Sequence, residues 1–358
     1  MIGPDLRVRG GVSSVERLLV GDQIDGASVT LLATTTDTGK IMKLFQGIFS
    51  WIRFLPKLIF RPDLVHIHFA SRGSTWRKLP FAVLSSLFRI PVVLHSHGAE
   101  FKKFYQNESG PIRKALIRLF LNRASSLVVL SESWKEFYSG ICSLSSERIV
   151  VMRNPVDFDA LSQNFEENKS EKILITSNGR IGVRKGSYDT IDALSQLPQD
   201  VSEKVRFVAT GDGEHEKLER YANLKNLGTL ARIEHWLPND EFQLIRNSAS
   251  IFLLPSYDEG LPMAMIEAMA IGQVPIVTPV GGIPEVIEHD RNGLIVEPGD
   301  ITAISDAICR LVRDEDLLER LSNQAKLSAK RLDVQGYRKE LFSIYLKSIN
   351  SKSSHPSN

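Results

Sequence analysis

Short apolar runs alternating with longer helical stretches constrain this chain more than any other feature. The runs are Val29–Ala33, Leu64–Phe69, Val92–Ser96, Ser126–Leu130 and Ile149–Met152. After a break come Lys172–Thr176, Val205–Ala209, Ile251–Leu254 and Pro275–Val277. A strand with one face in water alternates apolar and polar residues. Several of these runs do not alternate, so both of their faces are buried. Strand, helix, strand repeated along the chain predicts an α/β fold with two parallel sheets. The break lies near Asn154–Lys172, where Asn154-Pro155-Val156-Asp157 stops a strand and the polar stretch Gln163–Lys172 follows. The first domain is therefore expected over 1–155 and the second over 156–334. A helix at about 335–350 is expected to pack back on the first domain. The polar tail 351–358 is expected to be disordered.

Composition narrows the class. Cys142 and Cys309 are the only two cysteines, too few for a disulfide scaffold and without metal-ligand spacing. A reducing, cytoplasmic setting follows. The start, Met1-Ile2-Gly3-Pro4-Asp5, lacks a secretory pattern. The most apolar stretch, Ile41–Phe60, contains Lys43, Arg53, Pro56 and Lys57, which makes it a poor membrane span. Residues 1–155 hold 21 Lys+Arg against 11 Asp+Glu, which leaves 23 against 31 for the remainder. The basic front half points to an anionic partner: phosphate, nucleic acid or an anionic membrane. No recognisable nucleic-acid motif is present, so nucleic acid is not expected. Lys40–Arg61 interleaves Phe45, Phe49, Trp51, Phe54 and Phe60 with five cations. This reads as a basic amphipathic helix on a membrane surface, or as core packing of the same aromatics.

The strongest chemical signal is Ser256-Tyr257-Asp258-Glu259-Gly260-Leu261-Pro262-Met263-Ala264-Met265-Ile266-Glu267-Ala268-Met269-Ala270. It follows an apolar strand, and ligands in open α/β sheets bind at the carboxyl ends of strands. Pro262 suits the first turn of a helix, whose start would turn the amides around Gly260, Leu261 and Met263 outward as an anion site. Two carboxylates beside an anion make sense if the anion is a diphosphate with hydroxyl-rich ends. Glu267 falls within the apolar run Met263–Ile271, an unusual place for an idle carboxylate.

Glu, seven residues, Glu, with Gly-Leu-Pro after the first and Ala-Met-Ala after the second, resembles glycosyltransferase family 4. That resemblance implies the GT-B fold: two Rossmann-like domains facing each other across a cleft. It also implies a retaining, metal-independent enzyme that uses a nucleoside-diphosphate sugar and no cofactor. Glu259 would then contact the donor sugar and Glu267 the ribose. Asn178-Gly179-Arg180-Ile181-Gly182-Val183-Arg184-Lys185-Gly186 is similar to the family's basic loop, with Arg180 and Lys185 on the diphosphate. Fixed cations stabilise a leaving group that gains charge. Gly10-Gly11-Val12 matches the glycine pair that lets backbone approach the donor. His97, in His95-Ser96-His97-Gly98, matches an active-site histidine. Gly211-Asp212-Gly213, Gly281-Gly282-Ile283-Pro284-Glu285 and Asn292-Gly293-Leu294 read as turns. Retention without a carboxylate nucleophile implies attack from the leaving-group face.

Three further features bear on the first domain. His66, His68, His95 and His97 form two His-x-His pairs that could bind zinc, but no carboxylate or cysteine completes a motif and no metal is expected. Arg72, Arg77 and Lys78 follow a strand and are candidates for the phosphates of a lipid-linked acceptor, or for plain surface charge. The family opens with a full strand before its glycine pair, whereas here only Met1-Ile2-Gly3 precedes the turn. Either that strand is a stub or the start lies upstream. The resemblance as a whole implies assembly of a bacterial surface polysaccharide or lipopolysaccharide. The partners would be a nucleotide sugar and a glycan or lipid-linked acceptor, with an anionic membrane surface at the inner face of the cell membrane. The rival readings are a sugar-nucleotide epimerase or hydrolase of the same fold and a catalytically inactive binding subunit.

Overall fold

The computed structural model describes residues 1–162 and 172–353. Most of the polar stretch after the break (163–171) and the end of the tail (354–358) lie outside the described residues. The chain forms two compact units, Met1–Pro155 with Val334 onward, and Val156–Asp333.

The first unit runs β1 (Ile2–Gly3), α1 (Gly11–Arg17), β2 (Gly21–Ile24), β3 (Ala27–Val29), β4 (Leu32–Ala33), α2 (Lys40–Ile59), β5 (Val65–Phe69) and α3 (Gly73–Leu87). It continues with β6 (Val92–Ser96), α4 (Phe101–Gln106), α5 (Pro111–Leu121), β7 (Ser126–Val129), α6 (Glu132–Ser139) and β8 (Ile149–Val151). Its sheet is parallel, in the order β4-β1-β5-β6-β7-β8. Every residue of β5, β6 and β7 is buried, including the polar His66, His68, His95, Ser96 and Ser126. The run Val29–Ala33 is two strands rather than one. Val29 closes the antiparallel hairpin β2–β3, while Leu32 and Ala33 pair with Ile2 and Gly3. The short β1 lies inside the sheet, between β4 and β5.

The second unit runs α7 (Phe158–Ser162), β9 (Ile173–Asn178), α8 (Ser187–Ser195), α9 (Gln199–Ser202), β10 (Val205–Thr210), α10 (His215–Leu224), β11 (Ala231–Glu234) and α11 (Asn239–Ser248). It continues with β12 (Ala249–Leu254), α12 (Met263–Ala270), β13 (Val274–Val277), β14 (Leu294–Ile295), α13 (Ile301–Arg313) and α14 (Glu315–Lys330). The sheet order is β11-β10-β9-β12-β13-β14, all parallel. It is the doubly wound order, which reverses direction between β9 and β12 and opens a crevice at their carboxyl ends. Asp300 and Asp314 cap α13 and α14, each accepting a backbone amide at 2.9 Å.

The last helix, α15 (Val334–Ser353), belongs to the first unit. It buries Tyr337, Leu341, Ile344 and Tyr345. It is tied to that unit by Tyr345 Oη with His66 Nδ1 at 2.7 Å and Ser348 Oγ with Ser126 Oγ at 2.9 Å. The helix continues through residues 351–353, into the span expected to be a disordered tail. Among the described residues no helix is long and apolar enough to cross a membrane.

Candidate active site

The strand-order reversal of the second unit gathers the basic loop and the acidic motif. Residues 179–186 follow β9, and residues 255–262 follow its neighbour β12. Two glycines let these loops meet. Gly186 has φ +67°, and a Cβ there would lie 2.1 Å from the Pro255 carbonyl oxygen. Gly281 has φ +58°, and a Cβ there would lie 2.0 Å from the Glu259 carbonyl oxygen. Both conformations strongly favour glycine.

Glu259 is the centre of this arrangement and is only 5% exposed. Lys185 Nζ donates to its Oε1 at 2.5 Å, and Ser256 Oγ donates to the same oxygen at 2.8 Å. Arg184 Nη1 donates to the Asp258 carbonyl at 2.6 Å and lies 4.0 Å from Glu259 Oε2. A buried carboxylate is tolerated only when it is paired and hydrogen-bonded, as this one is. Lys185 also lines a small pocket with Asn178, Gly179, Arg180 and Ser187. Arg180 is largely exposed, 3.7 Å from Asp212. The structure therefore brings Arg180, Lys185 and Glu259 to one crevice.

Gly260, Leu261, Pro262 and Met263 form the entry to α12. Pro262 caps the helix from an extended conformation rather than standing in its first turn. The Gly282 amide donates to the Gly260 carbonyl at 2.6 Å and pins the turn. Glu267 is half-buried on α12. The neighbouring cation is Arg246 of α11, whose pKa burial pushes down and Glu267 pulls back up. Arg246 is itself buried, and its carbonyl accepts from Gln273 Nε2 at 2.6 Å. The sequence reading gave no role to Arg246 or Ser256. Ser256 stands three residues before Glu259 and was legible as a partner; Arg246 had no local signal.

In the first unit, Gly10 and Gly11 are exposed at the start of α1, and a Cβ at Gly10 would meet nothing within 4 Å. Backbone there is open to a ligand. His97 follows β6, with Nε2 2.8 Å from His68 Nδ1. Burial lowers its pKa to about 3, so it is a neutral hydrogen-bonding group at physiological pH. His66, His68 and His95 are buried beside it, and burial holds each well below the ordinary histidine range. Their candidate ligand atoms all lie within 4.8 Å of one another. A tetrahedral zinc with bonds of 2.0–2.1 Å needs its nitrogens about 3.4 Å apart.

The basic run after β5 differs from its expected role. Lys78 is 2% exposed, and its ammonium donates to Thr34 Oγ1 at 2.5 Å, inside the unit. Burial pushes its pKa down to about 7, so it is no surface cation for an acceptor phosphate. Arg72 is engaged by two carboxylates, Glu100 at 2.8 Å and Glu108 at 2.6 Å. Arg77 is partly buried, with its carbonyl accepting from Trp51 Nε1 at 3.0 Å. Arg72 and Lys78 therefore present no unencumbered cation to solvent.

Two doubly wound units, with a basic loop and a buried glutamate at the switch point of the second, define a GT-B glycosyltransferase. The model of "Glycosyl transferases group 1" matches residues 158–328, and that of "Glycosyltransferase Family 4" matches residues 22–160. The chain belongs to glycosyltransferase family 4. It is 27% identical over 277 residues to the N-acetyl-alpha-D-glucosaminyl L-malate synthase of Bacillus anthracis, covering 74% of this chain and 69% of that one. It is 27% identical, over 75% of its own length and 66% of the relative's, to the putative colanic acid biosynthesis glycosyltransferase WcaL of Escherichia coli. In fold it is similar to Anabaena Alr3699/HepE in complex with UDP. The TM-score is 0.72 at 17% identity, covering 96% and 97% of the two chains.

Proposed function

We propose that the chain moves a sugar, with retention of configuration, from a nucleoside-diphosphate sugar to a glycan or lipid-linked acceptor in the assembly of a bacterial surface polysaccharide. The observation that carries this reading is the Lys185–Glu259 pair at the second unit's switch point, with Arg180 on the same loop. Arg180 and Lys185 hold the diphosphate, Glu259 accepts from sugar hydroxyls and Glu267 from the ribose. The bond from C1 to the β-phosphate oxygen breaks, and its electron pair stays with the phosphate. The acceptor oxygen bonds to C1 on the same face and passes its proton to the departing phosphate. His97 is the first unit's candidate for this step, as a neutral imidazole. The two side-chain cations take the place of a metal on the diphosphate. The relatives named for colanic and teichuronic acid synthesis, and the neighbour holding UDP, support a nucleotide-sugar donor and a glycan product. The acceptor is carried by the inner face of the cell membrane, where the enzyme binds peripherally.

Nucleotide release from a panel of nucleotide sugars, with and without membrane-extracted acceptor and in excess chelator, tests this. Release that depends on acceptor and ignores chelator is expected. Lys185→Ala should lower kcat by about 10²-fold or more, the scale of losing one fixed charge on a developing anion. Release without acceptor would favour a hydrolase, and loss in chelator restored by manganese would end the metal-free reading.

A further inference from the structure

Helix α2 has two apolar faces, and the first unit's core uses only one. Phe54 and Leu58 are buried in that core, with Trp51 packed against it. On the other side Ile41, Phe45, Ile48, Ile52, Leu55 and Ile59 recur at alternating steps of four and three residues. This spacing sets them in one stripe along the helix. All six are exposed, from 41% at Ile48 to 75% at Ile41 and Ile59. Phe49 and Phe60 widen the stripe on one flank, and both are exposed. Scattered single apolar residues on a surface are ordinary; six in a row are not.

The charges say what covers the stripe. Asp63 is the only carboxylate between Asp37 and Glu100, so α2 and α3 carry none. The next helix of that layer, α5, also lacks one, and it exposes Ile112 and Leu116 beside Arg113 and Arg118. Helices α2, α3 and α5 pack side by side, α2 on α3 and α3 on α5. Arg53 lies over the Phe49 ring at 5.7 Å, and Arg53 and Lys57 follow beyond Phe49 on that side of the helix. A seam for a second helix carries charges of both signs at its flanks to fix register. Here the flanks are apolar or cationic, and two copies face to face would set like charges together. An apolar stripe with cations and no carboxylate instead matches an interface of acyl chains and anionic headgroups.

We propose that the α2 face, extended by the exposed residues of α5, docks the first unit on an anionic lipid bilayer. The apolar stripe enters the acyl boundary, and Arg53, Lys57 and Arg61 meet headgroup phosphates. This deepens the membrane-borne acceptor proposed above and rests on that reading for its purpose. The binding itself needs neither donor nor acceptor, so the two can fail separately.

The test is cosedimentation of the full chain with vesicles of phosphatidylcholine alone or mixed with phosphatidylglycerol, across a salt series. Binding to the mixed vesicles at low salt, release at high salt and neglect of the neutral vesicles are expected. Two variants separate the contributions: Phe45→Ser with Ile48→Ser and Ile52→Ser, and Arg53→Gln with Lys57→Gln and Arg61→Gln. All six positions are exposed, so both variants should fold, which circular dichroism checks. Each should weaken vesicle binding by roughly tenfold or more. Calorimetric UDP binding should stay that of the wild type. Vesicle binding unchanged in both variants, or absent from the wild type, would overturn the proposal. So would a dimer that the apolar variant dissociates while vesicles are ignored, since the face would then belong to a second copy. Loss of UDP binding in the unmodified chain, with vesicle binding intact, would sink the catalytic reading alone.

Discussion

Glu267 shows how a single carboxylate can be placed by its surroundings. It stands on a helix whose other residues are nearly all apolar and buried, within the field of Arg246. Its half-exposed position is the one the proposed ribose contact requires. Replacing it with Ala should weaken UDP binding by about 1.5–3 kcal/mol, the value of a hydrogen bond to a charged group. Isothermal titration of UDP decides this, and unchanged affinity in a folded variant would remove the ribose role. The gathering of Arg180, Lys185 and Glu259 was legible because they stand in contiguous motifs beside glycines. Arg246 was not, because its approach to Glu267 is made by two helices on either side of a strand. Lys78 was misread for a related reason. In sequence it closes a basic run, but its partner Thr34 lies 44 residues away. Only the fold shows that Lys78 turns inward.

At the scale of the element, the site depends on two loops held together through absent side chains. Gly281→Ala would place a methyl group on the Glu259 carbonyl and force an alanine into φ +58°. Such a change costs more than about 1 kcal/mol, and it falls on the turn that holds Glu259. Lower thermal stability and weaker donor binding together are expected, measured by differential scanning fluorimetry with and without UDP. A variant as stable as the wild type would show that the loop relaxes freely. The fully buried strands were legible almost to the residue: Val92–Ser96 is the expected span. The edge strands of the second sheet were not. β11 reads Ala-Arg-Ile-Glu, half polar because it borders the sheet, and β14 has two residues. Neither offers the apolar run that buried strands need. The hairpin β2–β3 escaped notice because its second strand runs almost directly into β4.

Across the whole molecule, buried histidines give the first unit a stability that depends on acid. In the unfolded chain they titrate near 6.5, whereas in the fold His66, His68 and His95 lie well below and His97 near 3. Their contribution is whole above about pH 6.5. As pH falls through that value, the unfolded chain takes up protons that the fold refuses. Each histidine then costs up to about 1.4 kcal/mol per pH unit until its folded pKa is reached. Glu16 acts in the opposite sense, since burial raises it from 4.5 to about 8 and favours the fold as pH falls between those values. Four groups outweigh one. Hydrogen exchange at pH 7 and pH 5 should therefore show β5 and β6 losing protection more than β9 and β12. Equal loss in both units would contradict the assignment.

The return of α15 also orders events at the ribosome. Residues 156–333 form one continuous unit, so they can fold as soon as they emerge. The first unit is made earlier but is finished later. Until Val334–Ser353 arrives, His66 lacks Tyr345 and Ser126 lacks Ser348. The half synthesised first is thus the half completed last, and a nascent chain cut short anywhere before residue 334 leaves that side of the sheet bare.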